Sequence, residues 1–304
     1  MSSEPLYAAP QKRIPGAVFL CCVETYWGLT TVLMKFALDY MSSITYIMLR
    51  FVIAGALILA LFGRKLWREH SRRLFHHGFI LGLLQVIPLE CTVLALNYTS
   101  ASNSIFIAQL SFVLVPLMEC IHRRKLPSRL LGLTTLSLMI GLAIFASPTE
   151  ILNLGNLICL VSAIFNSLSI LAVRKYVQFD FPLLLGAVQI VTSGLVGLLI
   201  WLPQRGGVIW CSQTIWILLL TSVVGSTGGY LLYIFGQART EPVTVSFIAL
   251  LQPIFAMIGA AIFANSQGQT EPIRWHMLVG TVIILAALSN YIRKTAALES
   301  ALSN

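Results

Sequence analysis

Charged residues are scarce in this chain: they make up 10% of its 304 residues, and only 11 of them are acidic. Ordinary soluble domains carry about a quarter of charged residues. Apolar residues reach 57% instead, and no polar stretch is long enough to form a separate soluble domain. This balance excludes an ordinary soluble protein and indicates an integral membrane protein.

Common catalytic and nucleotide-binding motifs are also missing. The sequence has no P-loop, no Gly-x-Ser-x-Gly and no His-Glu-x-x-His. Its six cysteines show no metal-ligand spacing, and only Cys211 falls in a predicted external loop, so no disulfide is expected. A membrane enzyme would need a cluster of catalytic acids, histidines or metal ligands. We therefore predict that the chain is not an enzyme, hydrolyses no ATP and uses no cofactor or metal.

Apolar stretches of about the 20 residues needed to cross a bilayer recur along the whole chain. We interpret ten as membrane-spanning helices: 16–38, 44–62, 76–96, 101–120, 130–147, 154–173, 183–203, 214–235, 243–264 and 275–292. The first lacks a clear small-residue cleavage site and is taken as a retained helix. Residues 1–15 and 293–304 remain as short terminal segments.

The positions of the basic residues predict the orientation. Most of the 20 Lys and Arg residues fall on one side of the ten spans, and only Arg205 and Arg274 fall on the other. By the positive-inside rule, both termini are cytoplasmic. Anionic lipid of the inner leaflet suffices as a partner for these basic loops, so the net charge of +9 does not indicate nucleic acid.

One segment of the sequence occurs twice, 141 residues apart. Residues 99–110 (TSASNSIFIAQL) and 240–251 (TEPVTVSFIALL) share five identical positions at that offset, and Arg50 of the second span corresponds to Gln189 of the seventh. Five spans per half is an odd number, so the second half enters the membrane upside down. We predict an all-α membrane protein of ten helices in two inverted repeats, 16–147 and 154–292, as in secondary transporters; the alternative is chance similarity of two apolar helices.

Several motifs resemble one family. YWGLTTVLMK (26–35), LRFVIAGALIL (49–59), ALNYTSASNS (95–104) and Gln252-Pro253 resemble the EamA-type transporters of the drug/metabolite transporter superfamily. The resemblance implies a ten-helix, two-repeat carrier of small metabolites, and an arginine that recurs at Arg50. Its members export amino acids and drug-like cations or take up metabolites such as S-adenosylmethionine. Two positions depart from the family: Phe112 replaces the first-half proline, and the basic run 123–125 replaces an acidic residue.

Helix interruptions are the first indication of a substrate site, because transporters place discontinuous helices at matching positions of their repeats. At the 141-residue offset, Pro88 of the third span lies opposite Gly229, next to Gly225 and Gly228 of the eighth. Proline removes a backbone donor and glycine weakens a helix. We predict helix breaks here and at Pro253 of the ninth span, lining a cavity; the alternative is close packing of small residues.

Ionisable residues within spans are the second indication, since they are costly in hydrocarbon. Glu24 in the first span and Glu90 in the third are candidates for exchanging a proton or pairing with a substrate ammonium group. The alternative is that Arg50 or Lys35 neutralises Glu90. We assign Arg50 and Lys35 a structural role, as charges that snorkel or bind a backbone carbonyl.

Polar and aromatic side chains complete the predicted cavity, which the first, third, fourth, sixth, eighth and ninth helices would surround. Trp27 and the tyrosines could stack on a planar or cationic substrate, or each residue could join helices to one another. The candidates are Trp27, Gln85, Gln109, Asn166, Thr227, Tyr230 and Tyr233.

The sequence therefore predicts a secondary carrier of the cytoplasmic (in bacteria, inner) membrane that works by alternating access. Its substrate would be a small polar metabolite, an amino acid or an amino-acid derivative, with proton coupling or exchange both open. Two alternatives remain: a carrier of a nucleoside-containing metabolite such as S-adenosylmethionine, and a membrane receptor or scaffold without transport. The expected partners are the substrate, the lipid bilayer and protons, and the oligomeric state is left open.

Overall fold

The computed structural model describes residues 16–69, 71–95, 98–99, 106–146, 153–204, 206–263, 270 and 272–303, without the side chains of residues 32, 35, 93 and 296–303. The predicted cytoplasmic segment 1–15, Arg205 and the side chain of Lys35 thus lie outside the described residues. Within those ranges the chain is helical apart from turns, short loops and one isolated bridge pair, Met41 with Val208. The predicted all-α class is confirmed.

Ten helices follow one another along the described chain. They are α1 (Gly16–Leu38), α2 (Ser43–Arg68), α3 (Arg72–Ala95), α4 (Phe106–Arg123), α5 (Arg129–Ala146), α6 (Leu154–Tyr176), α7 (Pro182–Trp201), α8 (Ser212–Gln237), α9 (Pro242–Ile262) and α10 (Trp275–Ser303). Among the described residues, α2 to α10 form nine candidate membrane spans by length and apolarity. Helix α1 has 23 residues but is not one of the nine, so the count of ten spans stays a prediction.

The first N–H groups of a helix have no carbonyl partner within it, and the residues at several helix starts compensate for this. Ser42 and Asn153 each accept a hydrogen bond from the backbone N–H three residues on, which caps α2 and α6. Pro182 and Pro242 occupy the first turns of α7 and α9, where their missing N–H costs nothing. Such starts mark the points at which a membrane helix can leave or enter the hydrocarbon.

The packing of the helices has the symmetry of two repeats. Helix α2 packs on α7, α4 on α9 and α5 on α10. Six other interfaces come in pairs: α3 with α6 and α8 with α1, α3 with α7 and α8 with α2, α4 with α6 and α9 with α1. Exchanging each helix for the one five places away turns this set into itself. A two-fold axis relating the first five helices to the last five produces this pattern. The contact between α7 and α8 is an exception, since α2 and α3 have no comparable contact among the described residues.

Buried apolar side chains form two main clusters. One lies among α2, α3 and α7 and includes Tyr46, Phe51 and Leu185. The other lies among α4, α5, α9 and α10 and includes Phe112 and Phe247, whose rings are 6.4 Å apart. Because lipid tails are as apolar as these side chains, close packing rather than escape from water holds such helices together.

Matched interruptions occur in the fourth and ninth helices. Helix α4 is interrupted at Gln109-Leu110 and α9 at Ala249-Leu250, both inside the repeated segment. Pro253 lies in the first turn after the second interruption, in the helix Leu251–Ile262. The repeated sequence therefore coincides with two discontinuous helices, a feature that transporters use near their substrate sites.

The break predicted at Pro88 is wrong, because α3 continues through it from Arg72 to Ala95. Proline leaves the carbonyl four residues earlier, that of Leu84, without its helical donor, and this single loss does not interrupt α3. The Pro88 carbonyl accepts hydrogen bonds from the hydroxyls of Thr92 and Ser162, at 2.8 and 2.7 Å. Pro88 thus joins α3 to α6 instead of breaking α3.

Helix α8 does change its winding at the predicted glycines. Residues Thr221–Gly228 form a π-helix, which contains Gly225 and Gly228, and Gly229 begins the α-helical part that follows. Single π turns within α-helices are rare and occur often at functional sites. The glycine cluster therefore produces wider winding rather than an open break.

Two glycines bring α1 and α9 into backbone contact. A Cβ atom on Gly28 would lie 2.5 Å from the carbonyl oxygen of Gln252 and 2.6 Å from the Cβ of Phe255. A Cβ on Gly259 would lie 2.9 Å from the carbonyl oxygen of Leu29. Small residues allow such close approach in membranes, and here they hold α1 of the first repeat against α9 of the second.

Candidate functional site

Side chains from five helices meet around Trp27 of α1. Its indole Nε1 donates a hydrogen bond to the Gly225 carbonyl of the π-helix, at 2.9 Å. Its ring lies 4.8 Å from that of Tyr230 and 5.1 Å from that of Tyr233, both tilted by 52°. A Cβ on Gly229 would come within 3.0 Å of Nε1. We call the following residues the Trp27 group: Glu24, Trp27, Arg50, Gln85, Gln189, Ser226, Tyr230 and Tyr233.

A chain of amides connects Tyr230 to both repeats. Gln85 Nε2 of α3 donates to the Tyr230 hydroxyl at 2.8 Å, and Gln189 Nε2 of α7 donates to Gln85 Oε1 at 3.2 Å. Because buried amides lose hydrogen bonds to water, each of these contacts fixes the orientation of its neighbour. These two hydrogen bonds therefore join α3 of the first repeat to α7 and α8 of the second.

Glu24 is an almost fully buried acid, with 2% of its surface exposed. The Tyr233 hydroxyl donates to its carboxyl group and in turn accepts a hydrogen bond from Gln237. The second oxygen, Oε2, is buried and has no hydrogen-bond partner among the described residues. A buried carboxyl oxygen without a donor is costly and is available to a ligand or a proton.

Arg50 is a buried cation, with 7% exposed. Its Nε donates to the Ser226 hydroxyl of the π-helix at 2.6 Å. None of the acidic groups that the structure describes lies within the 4.0 Å of a salt bridge to it. The structure therefore does not have the Arg50–Glu90 pair that was one alternative, and the guanidinium keeps a charge without a described counter-ion.

Four other candidates lie outside the hydrogen bonds and ring contacts of the Trp27 group. Asn166 Nδ2 donates to the Ser111 hydroxyl at 3.4 Å, just after Gln109 at the interruption of α4. Thr227 uses its hydroxyl within the π-helix, donating to the carbonyl five residues earlier at 3.1 Å. Glu90 has a buried Oε1 without a described partner. Their role in binding stays a prediction.

Two members of the Trp27 group were absent from the sequence candidates. Ser226 was one of many hydroxyl residues in a small-residue stretch, and nothing local distinguishes it. Gln189 could have been found from the sequence, because it is the counterpart in the second repeat of Arg50 in the first. Treating the counterpart of every intramembrane charge as a candidate would have found it.

The arrangement supplies opposite charges and aromatic faces in one place. Arg50 and Glu24 both act electrostatically on Tyr230, so both lie near its ring. A guanidinium presents several donors to a carboxylate, and a carboxyl oxygen accepts from an ammonium group. Within the described part of the chain, no three His, Cys, Asp or Glu side chains are placed to hold a metal ion.

Comparison with known sequences decides the family. The profile of the EamA-like transporter family matches residues 14–147 and again residues 153–291. The chain belongs to the EamA-like transporter family. The two matched segments correspond to the two predicted repeats, so the resemblance drawn from the motifs is confirmed. The EamA-like chain is accordingly a multi-pass membrane protein of a transporter family.

Individual relatives agree with this assignment. An uncharacterized transporter of Archaeoglobus fulgidus is 27% identical over 180 residues, which cover 57% of this chain and 54% of the relative. The EamA-like chain thus matches only about half the length of that relative. An uncharacterized transporter of Clostridium kluyveri is 25% identical over 230 residues, 70% of each chain.

A solved structure supports the fold. One protein crystal structure, 13% identical, superposes with a TM-score of 0.71 and covers 93% of this EamA-like chain and 98% of its own. At that identity the likeness shows the fold alone.

Proposed function

We propose that this EamA-like transporter is a secondary carrier of a small zwitterion, an amino acid or an amino-acid derivative, bound at the Trp27 group. The observation that carries the proposal is the pair of buried, opposite charges, Glu24 and Arg50, which both act electrostatically on Tyr230. Arg50, to which the sequence analysis assigned a structural role, is thereby proposed to bind the solute. Intramembrane charges are costly and mark substrate or ion pathways. A zwitterion would supply the counter-charge that each of them lacks among the described residues.

The helices around this site suit alternating access. The Trp27 group links α1 and α2 of the first repeat to the π-helix of the second. The discontinuous helices α4 and α9 add backbone groups that are free of regular helical bonding. Rocking of one repeat against the other would break and reform these contacts and expose the ligand to each side in turn.

Coupling to protons or to exchange depends on Glu24. Oε2 has no described donor, so the carboxyl group can take up a proton when the ammonium group leaves. With a proton in place of the substrate, the empty carrier would be neutral at this position and could return. Without proton coupling, return would need a second substrate molecule, which is exchange.

The test begins with the ligand. A thermal-shift screen of purified protein against amino acids, nucleosides and S-adenosylmethionine identifies a stabilising solute, and proteoliposomes then measure uptake of its labelled form. We expect an amino-acid-like zwitterion. Stabilisation by nucleosides alone would favour a carrier of a nucleoside-containing metabolite. The aromatic faces of Trp27, Tyr230 and Tyr233, on which a base could stack, are the observation that favours this second candidate. If none of the solutes is transported under any gradient, a receptor or scaffold would be favoured.

Charge variants then test the site. Losing a hydrogen bond to a charged group costs about 1.5–3 kcal/mol, so Glu24→Gln and Arg50→Gln should each weaken solute binding by about 10- to 100-fold. Glu241→Gln, which removes an exposed acid paired with Arg174 at 3.2 Å, serves as the control and should transport as wild type. Wild-type transport by Glu24→Gln at every pH from about 5 to 8 would refute the assignment.

A further inference from the structure

The pair of helices at the edge of the fold, α5 and α10, is in close contact at one end. A Cβ on Gly280 would lie 2.6 Å from the carbonyl oxygen of Gly141, and a Cβ on Gly141 would lie 2.9 Å from Cγ1 of Ile284. Only 17% of the apolar window of α10 is buried, against 61% for α7 and for α9. This pair therefore presents most of its surface to lipid.

A cleft of about 600 Å³ lies between the same two helices. It is lined at the first turns of α5 by Arg129, Leu130 and Leu133, and near the end of α10 by Asn290 and Lys294. Sites for small ligands have volumes of about 300–1,000 Å³, so the cleft has room for a headgroup. By the predicted orientation, it lies at the cytoplasmic side of the membrane.

The described residues that line the cleft include two cations and no acid. Arg129 and Lys294 are exposed, and neither belongs to an ion pair among the described residues. Among the lining residues none is acidic. The nearby acid Glu119 is already bound by Arg123 on the same helix. The charge of the cleft is thus free to act on an anion.

The two cations lie at the membrane-surface end of the cleft, and leucine, alanine and small polar side chains line the rest of it. Arg129 begins α5 and Lys294 lies in the last turn of the candidate membrane span Trp275–Thr295 of α10. Leu133, one turn further along α5, has 66% of its surface exposed in a span that faces lipid. Ser137 and Asn290 add a hydroxyl and an amide to the lining. Cations at the interface beside apolar side chains at depth match a phosphate attached to acyl chains.

We propose that this cleft binds one anionic phospholipid of the cytoplasmic leaflet. Arg129 and Lys294 bind its phosphate, Asn290 donates to the headgroup, and Leu130 and Leu133 contact the acyl chains. Basic pockets between membrane helices on the cytoplasmic side recognise such headgroups. Because α5 and α10 lie at the edge of the fold, the bound lipid is separate from the Trp27 group and from the transported solute.

Native mass spectrometry of the delipidated protein in detergent tests the proposal, with phosphatidylglycerol and phosphatidylcholine of identical chains as probes. We expect one phosphatidylglycerol to bind the wild type more tightly than phosphatidylcholine. Each basic residue near an anionic headgroup contributes about fivefold in affinity, so Arg129→Gln/Lys294→Gln should lose about 25-fold. Arg64→Gln/Lys175→Gln removes two other exposed basic residues and should keep the affinity.

Four other results would overturn the proposed lipid site. Equal loss in both double variants would show a general surface-charge effect and overturn the site. Displacement of the lipid by glycerol 3-phosphate at equal concentration would show a phosphate site without acyl contacts, which also overturns it. Should the double variant fail to fold, Leu133→Asn keeps both cations, and unchanged phosphatidylglycerol binding by that variant would exclude the acyl-chain contact. A mass of two chains that excludes lipid would indicate a dimer interface instead.

Discussion

The contact between α1 and α9 gives a sharp prediction for Gly28→Ala. The added Cβ would lie 2.5 Å from the Gln252 carbonyl oxygen, whereas carbon and oxygen in contact normally stay about 3.3 Å apart. The two backbones must separate by almost 1 Å along that line, because neither atom belongs to a flexible side chain. Overpacking of this kind costs about 1–3 kcal/mol.

Helix propensity works in the opposite direction and needs a control. Alanine is about 1 kcal/mol more favourable than glycine inside a helix, which would hide part of the cost. Gly132→Ala in α5 carries the same propensity gain, and its Cβ would meet no atom within 4 Å. The difference between the two variants therefore isolates the overpacking of α1 against α9.

The assay is thermal unfolding of both purified variants in the same detergent. With about 2–4 °C per kcal/mol for a protein of this size class, Gly28→Ala should unfold about 2–12 °C below Gly132→Ala. Equal unfolding temperatures would mean that α1 and α9 are not in backbone contact at this point. The placement of Trp27, the residue before Gly28 in α1, would then lose its support.

Two other predictions concern the Trp27 group and the orientation. Gln85→Leu should lower the unfolding temperature by the equivalent of about 1–2 kcal/mol, because the Tyr230 hydroxyl loses its donor; an unchanged temperature contradicts the hydrogen bond. The Thr214 hydroxyl lowers the pKa of the Cys211 thiol, which raises its thiolate fraction at neutral pH. A membrane-impermeant maleimide should therefore label intact cells at Cys211 and fail on Cys211→Ser, and labelling only after lysis would reverse the predicted orientation.

Much of the fold follows from the sequence because the bilayer allows few solutions. Within the bilayer each backbone N–H and C=O must find a partner inside the protein, and apolar segments of about 20 residues achieve this as helices. The offset between Thr99 and Thr240 then identified the two repeats. The end of the last helix was missed: α10 continues to Ser303, past the predicted end at 292, because apolarity reports where the membrane ends and not where the helix ends.

The sequence predicted part of the Trp27 group, and the geometry of the helices explains which part. Trp27, Gln85, Tyr230 and Tyr233 do meet, since polar side chains in apolar helices need partners. The break predicted at Pro88 is absent, because a proline indicates one lost donor but not whether the helix ends there. The interruption at Gln109 has no proline or glycine of its own, so tertiary packing decides it and a single sequence does not show it. The interruption at Ala249 does have a signal, because Pro253 has no N–H to donate to the Ala249 carbonyl four residues earlier.

The π-helix fixes the length of α8. Residues after Thr221–Gly228 follow a helix that contains one residue more than a regular α-helix would need. Deleting one residue there would let the segment wind as a regular α-helix and leave Tyr230 and Tyr233 facing Trp27. The wide turn that presents the Gly225 carbonyl to Trp27 and the Ser226 hydroxyl to Arg50 would be lost. A relative with one residue fewer in this helix can therefore keep the aromatic side chains while holding its buried cation differently.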